Sequence, residues 1–357
     1  MLQKNIVQTK RCRIISGIIL GLGVYFALGF SLTNTLTLEQ SVAVAGEEVT
    51  LEKLQKAAYE EGKMMWYESS PDGQFAKVEA AFNKRHPKIK LEHIRLRGAD
   101  VGTRIIAESQ ADAPTADVAT SGLDILIGLD ERGLLTRANW ENLGIAKNLI
   151  AAPYGLRSMA VTYCINYNTN LVSEAEAPKS WEDVLNPKWK GKVGIWQKPS
   201  GLALLTPAWG EEKVLEFTKK LAEQKPVIYR SNFPLNNALA AGEISIGITI
   251  YHTAIPTIKK GAPIKLVFAS PTPYEPLCSA IPSKAAHPNA AKLFIAWFLS
   301  LEGAQAYEDA TNRGNPWITG TKTYEMLKGR ELSTFSPEQS KYFADISKKI
   351  GKILFNR

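Results

Sequence analysis

Two ring side chains stand side by side at Tyr251 and His252, where the apolar run GITI (Gly247–Ile250) passes into YHTA. A phenol oxygen and an imidazole nitrogen can both ligate a metal, and both can hydrogen-bond an organic solute. Four short turns add hydroxyls: Ser69-Ser70, Thr120-Ser121-Gly122, Pro199-Ser200-Gly201 and Ser231-Asn232. Each follows a strand-like stretch. Helix N-termini at such turns carry free N–H groups and a positive dipole end, which favour anions. Each turn is equally an ordinary cap. Arg157 could face an anion or lie on the surface. His86, His93 and His287 sit beside prolines or on a strand and look peripheral. Asp117 and Asp124 have no partner of catalytic spacing. There is no GxSxG, P-loop, HExxH or dinucleotide fingerprint, so a hydrolase is the weakest reading and no enzyme is expected.

The elements that must position these residues alternate. TLEKLQKAAYEEGK reads as a helix with Thr50 as cap and Gly62 as stop. MMWYES reads as a strand, and FAKVEAAFNKRHP as a helix with Phe75, Val78 and Phe82 on one face. IKLEHIRL and ADVATSG are strands around the helix TRIIAESQADAP. After Pro153 come a long β-rich run (Ser158–Asn168), a helix capped by Ser180 with Asp183, and the amphipathic helix of Val214, Phe217 and Leu221. A helix, a Gly turn and a buried strand follow in NNALAAGEISIGITI, and AAKLFIAWFLSLEGAQAYEDA reads as one apolar helix. This alternation predicts an α/β fold with crossover helices.

The 357 residues are 45% hydrophobic and 22% charged, enough for one large domain or two ordinary ones. The N-terminus differs from the body. Lys4, Lys10, Arg11 and Arg13 precede an uncharged apolar stretch from Ile14 to Phe30, and Ala43-Val44-Ala45 suits signal peptidase. Residues 1–45 read as an export signal, with a retained membrane anchor as the alternative. Removing them leaves 39 basic and 34 acidic residues, a net charge of +5. The charges are dispersed along helices, so no nucleic-acid partner is expected. Cys12 lacks a lipobox. Cys164 and Cys278 are the only later cysteines, with no CxxC or zinc spacing. They form one disulfide in an oxidising compartment, or remain two buried thiols.

The order of PKSWEDVLNPKWKGKVGI, LAAGEISIGIT, HPNAAKLFIAWFLSLEGAQ and ADVATSG resembles the extracellular solute-binding proteins of ABC importers. The match is to the branch with ferric-iron, thiamine and phosphonate binders. It covers nearly all of residues 46–320. The resemblance implies the two-lobed type 2 periplasmic-binding-protein fold, with two crossover strands as hinge. Lobe 1 would hold residues 46–162 and 276–357, and lobe 2 residues 163–275. The crossovers would lie near VTYCIN and EPLCSAIP, bringing Cys164 and Cys278 close.

The resemblance further implies a periplasmic monomer without a cofactor. It would capture a small, anionic organic solute and deliver it to an inner-membrane permease. The expected contacts are Ser69, Ser70, Ser121, Arg157, Ser200, Gly201, Ser231 and Tyr251. The apolar run LALLTPAW would wall the cleft, and Trp196 would join it or the core. Iron-binding relatives place two adjacent tyrosines near positions matching His252 and Thr253, and some use a histidine near Phe75. Here Tyr251 stands alone, so the ferric-iron alternative would rest on Tyr251 and His252. A membrane-tethered sensor is the third reading.

Overall fold

The computed structural model describes residues 51–355, in which helices and strands alternate closely as the sequence pattern predicts. The export segment, Cys12 and the Thr50 cap lie outside the described residues. In the first lobe the chain runs α1 (Leu51–Glu61), β1 (Lys63–Glu68), α2 (Asp72–Arg85), β2 (Lys90–Arg95), α3 (Ala99–Gln110), β3 (Val118–Gly122), α4 (Leu123–Asp130) and β4 (Ile150–Ala152). Gly62, at φ +69°, ends α1 as expected, a conformation that costs a side-chain-bearing residue strain. Phe75, Val78 and Phe82 are the buried face of α2.

The chain then crosses on β5 (Gly155–Asn168) into β6 (Val193–Trp196), α5 (Ser200–Ala203), α6 (Thr206–Trp209), α7 (Glu211–Glu223), β7 (Val227–Tyr229), α8 (Asn232–Ala241), β8 (Ile246–Ile250), α9 (Tyr251–Lys259) and β9 (Ile264–Val267). It returns on β10 (Thr272–Ala280) to α10 (Pro288–Phe298), α11 (Leu301–Thr311), α12 (Lys322–Leu327), β11 (Leu332–Ser333) and α13 (Ser340–Phe355).

The strand order is β2-β1-β3-β10-β5-β8-β6-β7. Strand β5 does two jobs. Leu156 to Thr162 pair with β10, and Tyr163 to Tyr167 pair with β8. It therefore serves both half-sheets, and all but one of its residues are buried. Its buried positions are mixed: Met159, Val161 and Ile165 are apolar, while Ser158, Thr162, Asn166 and Asn168 are buried polar groups. The first half-sheet packs an aromatic core: Trp66 lies 4.9 Å from Phe294 and 5.9 Å from Tyr307, ring centre to ring centre. The second packs Ile165, Val193, Ile246, Val214, Phe217 and Leu221.

Several expectations change. The segment AAKLFIAWFLSLEGAQAYEDA is two helices, not one. Ser300 caps α11 by accepting the Gly303 N–H at 3.2 Å. The break lets α11 fold back against α10 so tightly that a Cβ at Gly303 would stand 2.1 Å from the Trp297 carbonyl oxygen. Ser180 and Asp183 do exchange capping bonds, at 2.9 and 3.2 Å, but they open a 3-10 turn. Leu202, Ala203 and Leu205 of the LALLTPAW run are core residues and do not wall a cleft. Helix α13, from the C-terminal segment, packs Ile346 and Ile350 on the second core. Each such isoleucine contributes about 2 kcal/mol of burial.

Of the two alternatives for the cysteines, the structure has the buried thiols, both free. Cys278 pairs with Arg157, and Cys164 pairs with Thr249. Cys164 lies seven residues beyond Arg157 on the same strand, about 23 Å at the usual rise. A disulfide needs Cα atoms within about 7 Å. The crossovers are neighbours, but the two cysteines sit at different levels along them.

Candidate functional site

The crossover ribbon forms a floor. On β5, Met159, Val161 and Tyr163 alternate onto one face. Directly opposite on β10 are Leu277, against Met159, and Glu275, against Val161. Paired residues on antiparallel strands share a face, so Glu275 joins this row. The strand-to-helix turns of both lobes end around it.

Arg313 is the centre of the cluster. It lies in the turn after α11, between Asn312 (φ +58°) and Gly314. Its Nη1 donates to Ser69 Oγ at 2.9 Å and to Tyr307 Oη at 3.3 Å, and lies 3.6 Å from Met159 Sδ. Its Nη2 donates to His252 Nε2 at 3.3 Å. One guanidinium thus joins the β1–α2 turn, α11, the floor and the first turn of α9. No local pattern marks it, because a lone arginine in a turn after an apolar helix fits no periodic or spaced motif.

This guanidinium is uncompensated. Among the described residues no carboxylate forms an ion pair with it, and its buried Nε has no partner. Nearby Glu68, 1% exposed, is turned to the Ser70 N–H at 2.7 Å and to Tyr307 Oη at 3.5 Å. Two more arginines add positive charge. Arg95 Nε donates to the Ser69 carbonyl at 3.4 Å. Burial, then Arg95 and Arg313, pull the pKa of Arg97 below its usual value. The part of the Arg97 shift that comes from Arg95 and Arg313 is like-charge repulsion, which an anion would relieve.

His252 accepts from Arg313, which can only donate, so its proton belongs on Nδ1. That Nδ1 is buried without a partner. Burial, and then Arg313, hold the imidazole pKa well below its usual value. The neutral ring therefore offers an N–H, as does Arg313 Nε. Two buried donors without acceptors in one cluster are a standing cost of about 1–3 kcal/mol each, which a bound acceptor removes.

The expected contacts divide. Ser69 and His252 join Arg313. Ser70 lies behind them, its Oγ 3.1 Å from Tyr307 Oη, and it positions that phenol. Burial first, then Glu68, raise the Tyr307 pKa to about 12, against the lowering by Arg313. Ser200 Oγ lies 2.9 Å from Tyr163 Oη at the other end of the floor. Gly201 is pressed on that ring, where a Cβ would stand 2.4 Å from Tyr163 Cδ1.

Four expected residues are otherwise engaged. Ser121, 3% exposed, donates to the Gly98 carbonyl at 3.1 Å. Ser231 caps α8 by accepting the Phe233 N–H. Arg157 donates to the Asn148 and Ile150 carbonyls and lies 5.8 Å from the Trp317 ring centre, so it serves the fold. Tyr251 leans on Phe268 at 5.8 Å, and burial, then Glu308, raise its pKa. Of the two rings that open α9, His252 is the one that meets the cluster.

Glu275 also escaped the sequence reading. Tyr163 Oη donates to its Oε2 at 3.5 Å. Burial, and then Asp124, raise its pKa to about 7, while Lys198, Tyr163 and Arg313 pull the other way. Asp124 and Glu275 converge on Gly122, where a Cβ would stand 2.5 Å from Asp124 Oδ1 and 3.6 Å from Glu275 Oε1. Trp196, the expected cleft or core residue, is partly buried, donates to the Arg230 carbonyl at 3.3 Å and lies under Lys198.

Among the described residues no three His, Cys, Asp or Glu side chains converge on one point. The guanidinium occupies the position at His252 Nε2 that a cation would need.

Comparison with known proteins agrees with the two-lobed fold. Iron-bound HitA from Pseudomonas aeruginosa superposes with a TM-score of 0.68 at 19% identity, covering 81% of this chain and 99% of that one. AfuA from Actinobacillus pleuropneumoniae, with fructose-6-phosphate bound, superposes at 0.66 and 23%, covering 82% and 97%. A substrate-binding protein of an ABC transporter from Agrobacterium tumefaciens gives 0.70 and 15%, covering 82% and 94%. An uncharacterized protein of Haemophilus influenzae is 33% identical over 137 residues, which span 36% of this chain and 40% of that relative. Residues 77–323 match the sequence profile of the bacterial extracellular solute-binding proteins, and the chain belongs to that family.

Proposed function

We propose that this protein captures a small anionic organic solute in the interlobe cleft and delivers it to the permease of an ABC importer. The carrying observation is Arg313, a guanidinium with no carboxylate partner that joins Ser69 and Tyr307 of one lobe to His252 of the other. Its missing counter-ion is the solute. Ser69 and the His252 Nδ1–H complete the anion's shell, and Arg95 and Arg97 raise the local potential. The reading requires no catalysis. Residues 1–45 direct export, and the mature chain works in the periplasm as a monomer. Among the described residues no helix is long and apolar enough to cross a membrane.

Carriage of ferric iron is the second reading. It draws support from the iron-bound structure from Pseudomonas aeruginosa, and its donors here would be Tyr251 and His252. The guanidinium against His252 favours the anion.

Thermal shift with a ligand panel separates the two, because binding to the native state raises the melting midpoint. Organic phosphates and carboxylates should raise it, and Arg313→Gln should abolish the rise. A rise with ferric citrate or ferric carbonate alone, unaffected by Arg313→Gln, would establish the iron reading instead. Mass spectrometry of the exported chain should find Gly46 at its N-terminus; intact Met1 in membranes would show an anchor.

A further inference from the structure

We infer that the solute carries, besides its anionic group, a hydroxyl or amine hydrogen, and that Glu275 is the residue that reads it. The inference rests on the anion reading above and adds a second point of recognition.

The floor sets the geometry. Arg313 lies over Met159, and Glu275 is paired with Val161, two residues along β5. Two residues of strand cover about 6–7 Å. A solute whose anionic group sits on Arg313 therefore places its next few atoms over Glu275.

The carboxylate there is under-used. Among the described residues, neither Lys nor Arg forms an ion pair with it. The Tyr163 hydroxyl approaches at 3.5 Å but is also 2.9 Å from Ser200 Oγ. A cavity of about 60 Å³ lies beside Glu275, lined also by Asp124, Leu204, Thr334 and Phe335. It is too small for a whole solute and large enough for one polar group. Thr334 Oγ1, in the same lining, is buried without a partner.

The groups facing Glu275 are Asp124 from α4, Lys198 from the turn before α5, Tyr163 from β5 and Arg313. The two cations are held off at a distance, and Asp124 opposes its charge. A carboxylate so placed gains from an added N–H or O–H donor. A solute that is purely anionic and apolar would leave it unpaired and would be discriminated against.

Three probes test this on the mature chain by calorimetric titration: propyl phosphate, glycerol 3-phosphate and 3-aminopropyl phosphate. Wild type should bind glycerol 3-phosphate or 3-aminopropyl phosphate at least tenfold more tightly than propyl phosphate, and the preferred one identifies the donor as hydroxyl or amine. Glu275→Leu should erase that preference while propyl phosphate binds as well as before or better. Glu275→Gln, which keeps one acceptor oxygen, should retain part of it; melting curves confirm that both variants fold. Equal affinity of wild type for all three probes overturns the role of Glu275 and leaves the anion reading intact. So does a uniform loss for all three in a folded Glu275→Leu. If none of the three binds, the anion reading falls and this inference with it.

Discussion

Arg313 Nη2 stands 3.3 Å from His252 Nε2, and this contact joins the turn after α11 to the first turn of α9. A second bridge, Lys259 Nζ to Asn312 Oδ1 at 2.8 Å, runs beside it between α9 and the end of α11. In the proposed reading, closure of the cleft and capture of the anion would share the Arg313 side chain.

Replacing Arg313 with Gln should weaken an anionic ligand strongly. Losing one partner of a desolvated charged pair costs about 3 kcal/mol, roughly a hundredfold in Kd. Calorimetric titration with the best anion from the panel reads it. An unchanged Kd would remove Arg313 from the site.

His252 should make stability pH-dependent on the acid side. Its folded pKa is depressed by burial and by Arg313, so the unfolded chain binds the proton first. The stabilising contribution is complete above about pH 6.5, the unfolded value, and is lost as pH falls through that value towards the folded pKa. Urea titrations between pH 7 and 5 should show the loss, and His252→Gln should flatten it. Equal slopes in the two proteins would contradict the buried neutral ring.

Glu275 has the opposite sign. Its folded pKa, about 7, lies above the unfolded value, so the folded chain holds the proton longer. Its relative stabilisation is full below about pH 4.3 and fades as pH rises to 7, by a few kcal/mol at most. Glu275→Gln should therefore gain stability over wild type at neutral pH and little at pH 4. A constant difference across that range would show an unperturbed carboxylate.

Gly201→Ala should lower Tm. The new methyl group would press within 2.4 Å of the Tyr163 ring, which is itself held between Ser200 and Glu275. Overpacking of this kind costs about 1–3 kcal/mol. A melting curve matching wild type would mean that the ring gives way freely.

Native protein should not react with an aromatic disulfide reagent. Burial raises the Cys164 thiol strongly and the Cys278 thiol to about 12, so neither offers thiolate. In the chain without residues 1–45, two thiols should appear on unfolding in urea without reductant. Their absence would reinstate the disulfide.

The sequence by itself determined the alternation of strands and helices, and its resemblance to the solute-binding family implied the two lobes and two crossovers. The alternation follows from local signals: periodic burial in α2 and α7, and Gly62 and Gly242 ending helices. It also marked Ser69 and the Tyr251-His252 pair as chemistry at strand ends.

What it could not rank was which of those groups face one another. Cys164 and Cys278 looked paired because both lie on crossovers, yet register sets them seven residues apart along β5. Ser121 and Ser231 looked available, yet the first donates to the Gly98 carbonyl of a neighbouring turn and the second caps its own helix. Arg313 and Glu275 carried no local signal at all. Arg313 is 244 residues from Ser69 and 61 from His252, and Glu275 is 112 from Tyr163. Burial patterns repeat along a chain and can be read from it. The meeting of single charged side chains depends on strand register and helix packing, which only the tertiary structure fixes.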